Sequence, residues 1–282
     1  MDAAVSQLIE MALKEDIGPG DVTSTYFVPA DRRSHAFINA REEGVIAGTE
    51  VAAEVFRRVS EEIEVRVLLE DGSRVSEGAL VIEVEGPSRA VLTAERTALN
   101  FLQRLSGVAT LTSRFVGLVN GTDARILDTR KTTPGWRLLE KNAVAAGGGT
   151  NHRMGLYDRA MVKDNHLMAE GDVCYLQNAI RRLKSELPEV QVELEADHLT
   201  QVEEFLRLEG VDYILLDNMS LDELREAVEM REGGSPVLEA SGGVDLSTVK
   251  EIAMTGVDFI SVGAVTHSSV GLDLGLDFVE EK

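Results

Sequence analysis

The chain has 282 residues, 49 of them acidic and 28 basic, for a formal net charge of −21. With 44% hydrophobic residues it can bury one large α/β domain, or one plus a smaller partner, so a disordered chain is disfavoured. So acidic a surface also argues against nucleic acid as a partner, because a phosphate backbone repels it.

The opening segment, Met1–Gly18, is amphipathic and carries acids rather than the basic flank of a signal peptide. Phe37–Val45 and Val65–Leu69 read as strands. The tight-turn pair Asp71-Gly72 and a further strand at Val81–Val84 follow. With a helix at Thr49–Val59, this region predicts a small antiparallel α+β domain. A long helix follows at Ala90–Leu105, its apolar stripe formed by Ala94, Ala98, Leu102 and Leu105. Gly107 reads as a break, with a second helix at Leu111–Val119. The expected division is residues 1–110 against 111–282, with a last helix packing back on the first domain.

Beyond residue 124 the pattern becomes strand–helix–strand–helix. Apolar runs end in Asp128, Lys163, Glu195 and Asp217, and two later ones lead to Ser241 and Gly263. The last four anchors are 22, 24 and 22 residues apart, with helical segments at Leu199–Leu208, Leu221–Met230 and Leu246–Met254 between them. Repeats of that length are βα units, which build a parallel sheet or barrel. The strand bodies read as apolar without alternation, as in strands covered on both faces. In such an array the C-terminal strand ends share one mouth, so the six anchors are expected to converge on one cavity.

Charge supports a site there. Residues 125–166 hold eight cations (Arg125, Arg130, Lys131, Arg137, Lys141, Arg153, Arg159 and Lys163) against four acids, while the remainder has 20 cations and 45 acids. A positive island in so acidic a chain suggests an anionic ligand, held above all by Arg130-Lys131 and His152-Arg153. Ser241-Gly242-Gly243 follows a strand and precedes a helix expected near Asp245. Val262-Gly263-Ala264 recurs one unit later, and such paired glycine turns bind phosphate through backbone amides. Gly147-Gly148-Gly149 fits neither a P-loop nor a dinucleotide fingerprint. Glu195 and Asp217, on neighbouring strand ends, suggest Mg²⁺. Asp197-His198 reads as a helix cap, and His35, His166 and His267 as structural. The single cysteine, Cys174, rules out an internal disulfide and a cysteine metal cage, and within the helical pattern Val173–Leu187 it reads as a small core residue. No apolar run is long enough to span a membrane, so a soluble cytoplasmic protein is expected. The residues by themselves point to a barrel enzyme acting on a phosphorylated, multiply anionic small molecule.

Seven segments then identify a resemblance: Ala94–Asn100, Leu105–Thr110, Asp128–Gly135 (DTRKTTPG), Gly147–Arg153 (GGGTNHR), Val162–His166, Leu216–Asn218 and Ser241–Gly243. In this order they resemble the quinolinate phosphoribosyltransferases, from about Leu13 to the C-terminus. The resemblance implies an N-terminal α/β sandwich and a C-terminal open α/β barrel. It implies transfer of phosphoribosyl from phosphoribosyl pyrophosphate to quinolinate with loss of CO₂, in the presence of Mg²⁺. It also implies a homodimer or hexamer in which Arg96 enters the neighbouring subunit's site. Arg130, His152, Arg153 and Lys163 would bind the quinolinate carboxylates, and Thr129 and Lys131 would help hold the substrates. Glu195 and Asp217 would meet the ribose hydroxyls and Mg²⁺, with Lys163, Glu195 and Asp217 the catalytic set. Ser241, Gly242, Gly243, Gly263 and Ala264 would hold the 5′-phosphate, and Trp136 is expected to pack near the mouth. The rival readings are a phosphoribosyltransferase acting on nicotinate, the molybdenum-associated paralogue of this fold, a lyase using Lys163 as a Schiff-base nucleophile, and a non-catalytic anion binder.

Overall fold

The structure is a computed structural model and describes residues 1–163 and 173–279. It divides into two units, each discontinuous in sequence. Residues 1–113, 132–148 and 265 onward make the first; 114–131 and the described part of 149–264 make the second. The first unit therefore takes in two segments beyond residue 110.

The first unit opens with α1, Ala3–Ile17. The Asp2 carboxylate caps it by accepting the Ala4 amide, and it buries Val5, Ile9 and Leu13 at four-residue spacing. A shorter α2 follows at Val22–Phe27, capped by Asp21. The stretch expected as one strand, Phe37–Val45, is two: β1 at Arg33–Ala40 and β2 at Gly44–Val45. Next come α3 at Thr49–Val59, β3 at Glu64–Val67, β4 at Arg74–Val75 and β5 at Leu80–Pro87. Asp71, read as a turn residue, also closes the start of α3: its carboxylate accepts the Gly48 and Thr49 amides at 2.9 and 3.0 Å. Near the C-terminus the expected helix is a strand, β12, Leu274–Phe278. It pairs antiparallel with β1, giving the sheet order β12-β1-β5-β3. Its residues alternate Leu-Gly-Leu-Asp-Phe, a period of two that suits an edge strand.

Gly107 does not break the long helix. α4 runs unbroken over Ser88–Leu118. A Cβ at Gly107 would collide with the Val270 carbonyl oxygen, so this glycine permits close backbone packing instead of ending the helix. A second helix of this unit, α5 at Arg137–Ala146, is held by the fully buried Glu140. That carboxylate accepts Arg104 at 2.7 Å and the Thr133 amide at 3.0 Å.

The second unit is a six-stranded parallel sheet in the order β6-β11-β10-β9-β8-β7, an open barrel with β6 and β7 at its two edges. Its strands are β6 Arg125–Leu127, β7 Arg159–Val162, β8 Gln191–Ala196, β9 Tyr213–Asp217, β10 Val237–Ser241 and β11 Phe259–Ser261. Helices at Val173–Glu186, Leu199–Leu206, Leu221–Met230 and Val249–Ala253 lie between strands and bury pairs such as Leu176 and Ile180 or Val202 and Phe205. The fold is the expected α/β one, an N-terminal antiparallel sheet domain with a C-terminal α/β barrel.

Two expectations are corrected here. The parallel strands do alternate. Val192, Leu194, Ala196, Ile214, Leu216, Leu238, Ala240 and Ile260 are all buried on one face. Between them in sequence, the opposite face carries Glu193, Glu195, Leu215, Asp217, Glu239 and Ser241. Cys174 is exposed. Its helix buries Leu176 and Ile180, and a residue two places before Leu176 lies roughly 200° around the helix from it.

Candidate active site

A cavity of about 580 Å³ opens on the polar face of the second unit's sheet. Thr129, Arg130, Lys131, His152, Arg153, Lys163, Glu195, Asp217, Ser241, Gly242 and Gly243 line it, together with Met161, Leu215, Asn218, Glu239 and Ser261. Parallel register explains the convergence, since Glu195 pairs with Leu215, and Asp217 with Ser241, across neighbouring strands.

The strand ends differ in what they do. Lys163 Nζ donates to Glu195 Oε2. Asp217 accepts the Asn218 side-chain amide at 2.9 Å. Asp128 does not line the cavity. It is fully buried and accepts the His152 amide at 2.8 Å, fixing the start of the His152-Arg153 turn. Ser241 is followed by Gly242 at φ 98 and Gly243 at φ 61. The helix expected near Asp245 begins regularly only at Val249; Asp245 Oδ1 instead closes a turn by accepting the Ser247 and Thr248 amides at 2.7 and 3.0 Å. Backbone amides at the two glycines, rather than a helix end, are what this loop offers an anion.

The positive island divides. Arg130, Lys131, Arg153 and Lys163 line the cavity, whereas Arg137 and Lys141 belong to α5. Arg159 stacks over Tyr213 at 4.0 Å and lies 3.5 Å from Glu193. Burial, and after it the charge of Arg130, push the Arg153 guanidinium below its ordinary value. Crowded cations of this kind favour an anion between them.

Beneath the mouth lies a cluster that the sequence reading missed. His152 Nε2 sits 3.3 Å from Glu193 and 3.4 Å from Glu239, and all three residues are buried. Burial disfavours the imidazolium, but the hydrogen bonds and charges of the two glutamates outweigh it and raise the His152 pKa to about 9. On the ring's other edge Nδ1 accepts the Arg153 amide at 2.6 Å, which favours the neutral ring. The glutamates thus favour the second ring proton, and the amide at Nδ1 opposes it. Burial works to raise the Glu193 pKa, yet the bond and charge of His152, with Arg159, keep it below the ordinary carboxylate value. Burial, together with the Glu193 charge, raises that of Glu239, whose Oε1 accepts the Ser261 hydroxyl. Among the described residues this is the one His–acid cluster whose ligand atoms converge, all within 4.8 Å. Its carboxylates are already matched by His152 and Arg159, so it reads as an internal ion network. The missed signal was the alternation: Glu193 and Glu239 fall in phase with Glu195 and Ser241.

The Glu195 and Asp217 carboxylates suit Mg²⁺ in chemistry. They are hard oxygen donors on adjacent strands lining a cavity open to water, and Mg²⁺ takes few protein oxygens.

Of the remaining candidates, Arg96 is exposed on α4 in the first unit, and neither it nor Gly263 nor Ala264 lines this cavity. Trp136 stacks on Phe101 at 4.7 Å within the first unit, where both line a separate cavity with α1 residues such as Leu8 and Met11. Stacking gives a large flat ring its partner there, so it does not line the strand-end cavity. His35 binds Glu83 at 2.8 Å, His267 contacts Ser268 at 2.6 Å, and His198 caps the Leu199–Leu206 helix as expected. Asp164, Asn165 and His166 of the resembling motif lie outside the described residues.

Comparison with known proteins bears on this cavity. The model of the N-terminal domain of quinolinate phosphoribosyl transferase matches residues 21–106, and that of the C-terminal domain matches residues 108–277. A nicotinate-nucleotide pyrophosphorylase [carboxylating] of Mycobacterium leprae is 44% identical over 279 residues, covering 97% of both chains. A probable nicotinate-nucleotide pyrophosphorylase [carboxylating] of Bacillus subtilis is 38% identical, covering 97% of this chain and 93% of that one. The solved nicotinate-nucleotide pyrophosphorylase from Francisella tularensis superposes with a TM-score of 0.91 at 38% identity, covering 98% of this chain and 96% of that one.

Proposed function

The chain belongs to the quinolinate phosphoribosyltransferase family, and from that premise we propose how its strand-end cavity performs the reaction. The protein transfers phosphoribosyl from phosphoribosyl pyrophosphate to quinolinate with decarboxylation, giving nicotinate mononucleotide, pyrophosphate and CO₂ for NAD biosynthesis. The observation that supports the residue assignment is that four cations, Arg130, Lys131, Arg153 and Lys163, and the glycine loop Ser241–Gly243 line one cavity.

Arg130, His152, Arg153 and Lys163 hold the two quinolinate carboxylates. Thr129 and Lys131 hold the substrates at the mouth. The amides around Ser241, Gly242 and Gly243 bind the 5′-phosphate, joined by Gly263 and Ala264 from the turn after β11. Glu195 and Asp217 meet the ribose hydroxyls and would hold Mg²⁺. When bound, that ion neutralises charge on the departing pyrophosphate. As the C1–O bond breaks, Glu195 and Asp217 stabilise the positive ribose carbon. The pyridine nitrogen then forms the new bond to C1. The cationic ring accepts the electron pair left when the C2–carboxylate bond breaks and CO₂ departs, and the same carbon takes a proton. Positioning and electrostatics supply most of the catalysis.

The assignment extends to a homodimer or hexamer in which Arg96, on the exposed side of α4, reaches the cavity of a second copy. It also extends to a cytoplasmic location, which a chain with one cysteine in 282 residues suits. The Lys163 amine is engaged by the Glu195 carboxylate, which disfavours the Schiff-base reading. The test is incubation with quinolinate, phosphoribosyl pyrophosphate and Mg²⁺. One nicotinate mononucleotide, one pyrophosphate and one CO₂ per turnover are expected. Turnover of nicotinate without CO₂ release would replace this reading with the nicotinate one, and a borohydride-trapped adduct at Lys163 would replace it with the lyase.

A further inference from the structure

We propose that Asn218 is a positioning residue for the phosphoribosyl half of the site, setting the Asp217 carboxylate and the Ser241–Gly243 loop at a fixed spacing. This rests on the function given above and adds a residue whose role no motif assigns. Among the described residues Asn218 is the one non-glycine at positive φ, at 54°. Such a conformation persists only where its surroundings determine it, and it clusters at functional positions.

Three contacts determine it here. The Asn218 amide donates to the Ser241 carbonyl at 2.8 Å, one step beyond the last register pair of β9 and β10, Asp217 with Ser241. Its side-chain Nδ2 donates to Asp217 Oδ2 at 2.9 Å. Its Oδ1 lies against Gly242, so close that a Cβ at that position would collide with Asn218 Oδ1 and Cγ. One side chain thus grips the acid that ends β9 and abuts the glycine that follows β10. Asn218 and Gly242 both line the cavity.

The residue type follows from these demands. The left-handed backbone tolerates asparagine better than most residues. The carboxylate requires an N–H donor facing it. Aspartate would set a second negative charge beside Asp217, and glycine would accept the backbone but hold nothing. Asparagine meets all three conditions.

The experiment compares Asn218→Gly, Gly242→Ala and the double variant with the wild type. Asn218→Gly keeps the backbone conformation accessible and removes only the side chain. The expected result is a KM for phosphoribosyl pyrophosphate raised about 10- to 100-fold, as for other partners that orient a ligating carboxylate. The KM for quinolinate and the thermal midpoint should be unchanged. The double variant should lose less than the product of the two single losses, because removing the Asn218 side chain relieves part of the Gly242→Ala collision. Calorimetric binding of phosphoribosyl pyrophosphate reads the same effect without turnover. Unchanged binding in Asn218→Gly, equal weakening of both substrates with a lowered midpoint, or losses that simply multiply would each overturn the proposal. A wild type that binds phosphoribosyl pyrophosphate but releases no CO₂ would count against the function instead, leaving the Asn218 comparison readable by binding.

Discussion

The two ends of the parallel sheet use the same kinds of residue for opposite purposes. Where strands begin, acids are consumed by the fold. Asp212 accepts Lys184 Nζ at 2.6 Å and the Val192 amide at 2.7 Å, at the start of β8. Asp258 repeats the device for β10, accepting Arg231 and the Leu238 amide, the latter at 2.8 Å. Each aspartate follows its strand-start residue by 20 positions, one βα unit. Where strands end, the acids Glu195 and Asp217 face a cavity shared with Arg130, Lys131 and Arg153. An acid matched by a cation and a backbone amide braces the fold, whereas Glu195 and Asp217, on a cavity wall among cations, are the acids proposed to serve a ligand. The comparison therefore predicts activity losses at one end and stability losses at the other.

Lys163→Ala should reduce quinolinate turnover by roughly 10²–10³-fold, as removal of one charged group from a preorganised site does. Circular dichroism should show the fold intact, and a near-normal rate would remove Lys163 from the site. Next, Arg96→Ala and Arg130→Ala preparations should each be impaired. Mixed after dissociation and reassembly, they should recover roughly a quarter of wild-type activity, since half of randomly assorted dimers are mixed and each holds one intact site. No recovery in verified mixed dimers would confine Arg96 to its own subunit.

The third prediction concerns pH. His152 is raised from 6.5 to about 9 in the folded protein. Its contribution, at most roughly 3 kcal/mol, is therefore fully present below pH 6.5 and lost as pH rises through 9. Chemical denaturation across pH 6–10 should show that fall, and His152→Gln should flatten it. A slope unchanged in the variant would assign the titration elsewhere. Smallest is the effect at the base. Asp212→Ala leaves the Val192 amide and Lys184 without their shared acceptor, at a cost of about 1–3 kcal/mol. KM for both substrates should remain at wild-type values, and a raised KM would mean that the two ends are coupled.

Much of the candidate cavity's lining was legible because strand ends announce themselves. An apolar run stopping at Lys163, Glu195 or Asp217 places a charge at the mouth, and βα spacing aligns the mouths. Glu193 and Glu239 escaped because each sits inside an apolar run, and only period-two phase shows that it shares the sheet face of Glu195 and Ser241. Gly107 misled because glycine lowers helix propensity on average, while here it makes room for the Val270 carbonyl, a contact 163 positions away that no local pattern reveals. Cys174 misled through composition: cysteine is commonly buried, yet helix phase decided its face. The role of Asp128 was hidden for a related reason, since its partner is a backbone amide 24 residues onward.

The pairing of β12 with β1 has a consequence for biogenesis. Ala36 meets Phe278, and Ala40 meets Leu274, across more than 230 residues. A ribosome must therefore reach residue 278 before that sheet acquires this strand, whereas every described strand of the parallel array has been synthesised by residue 261. Nascent chains would carry an open β1 edge until Leu274–Phe278 is made, an unpaired edge of the kind that chaperones shield.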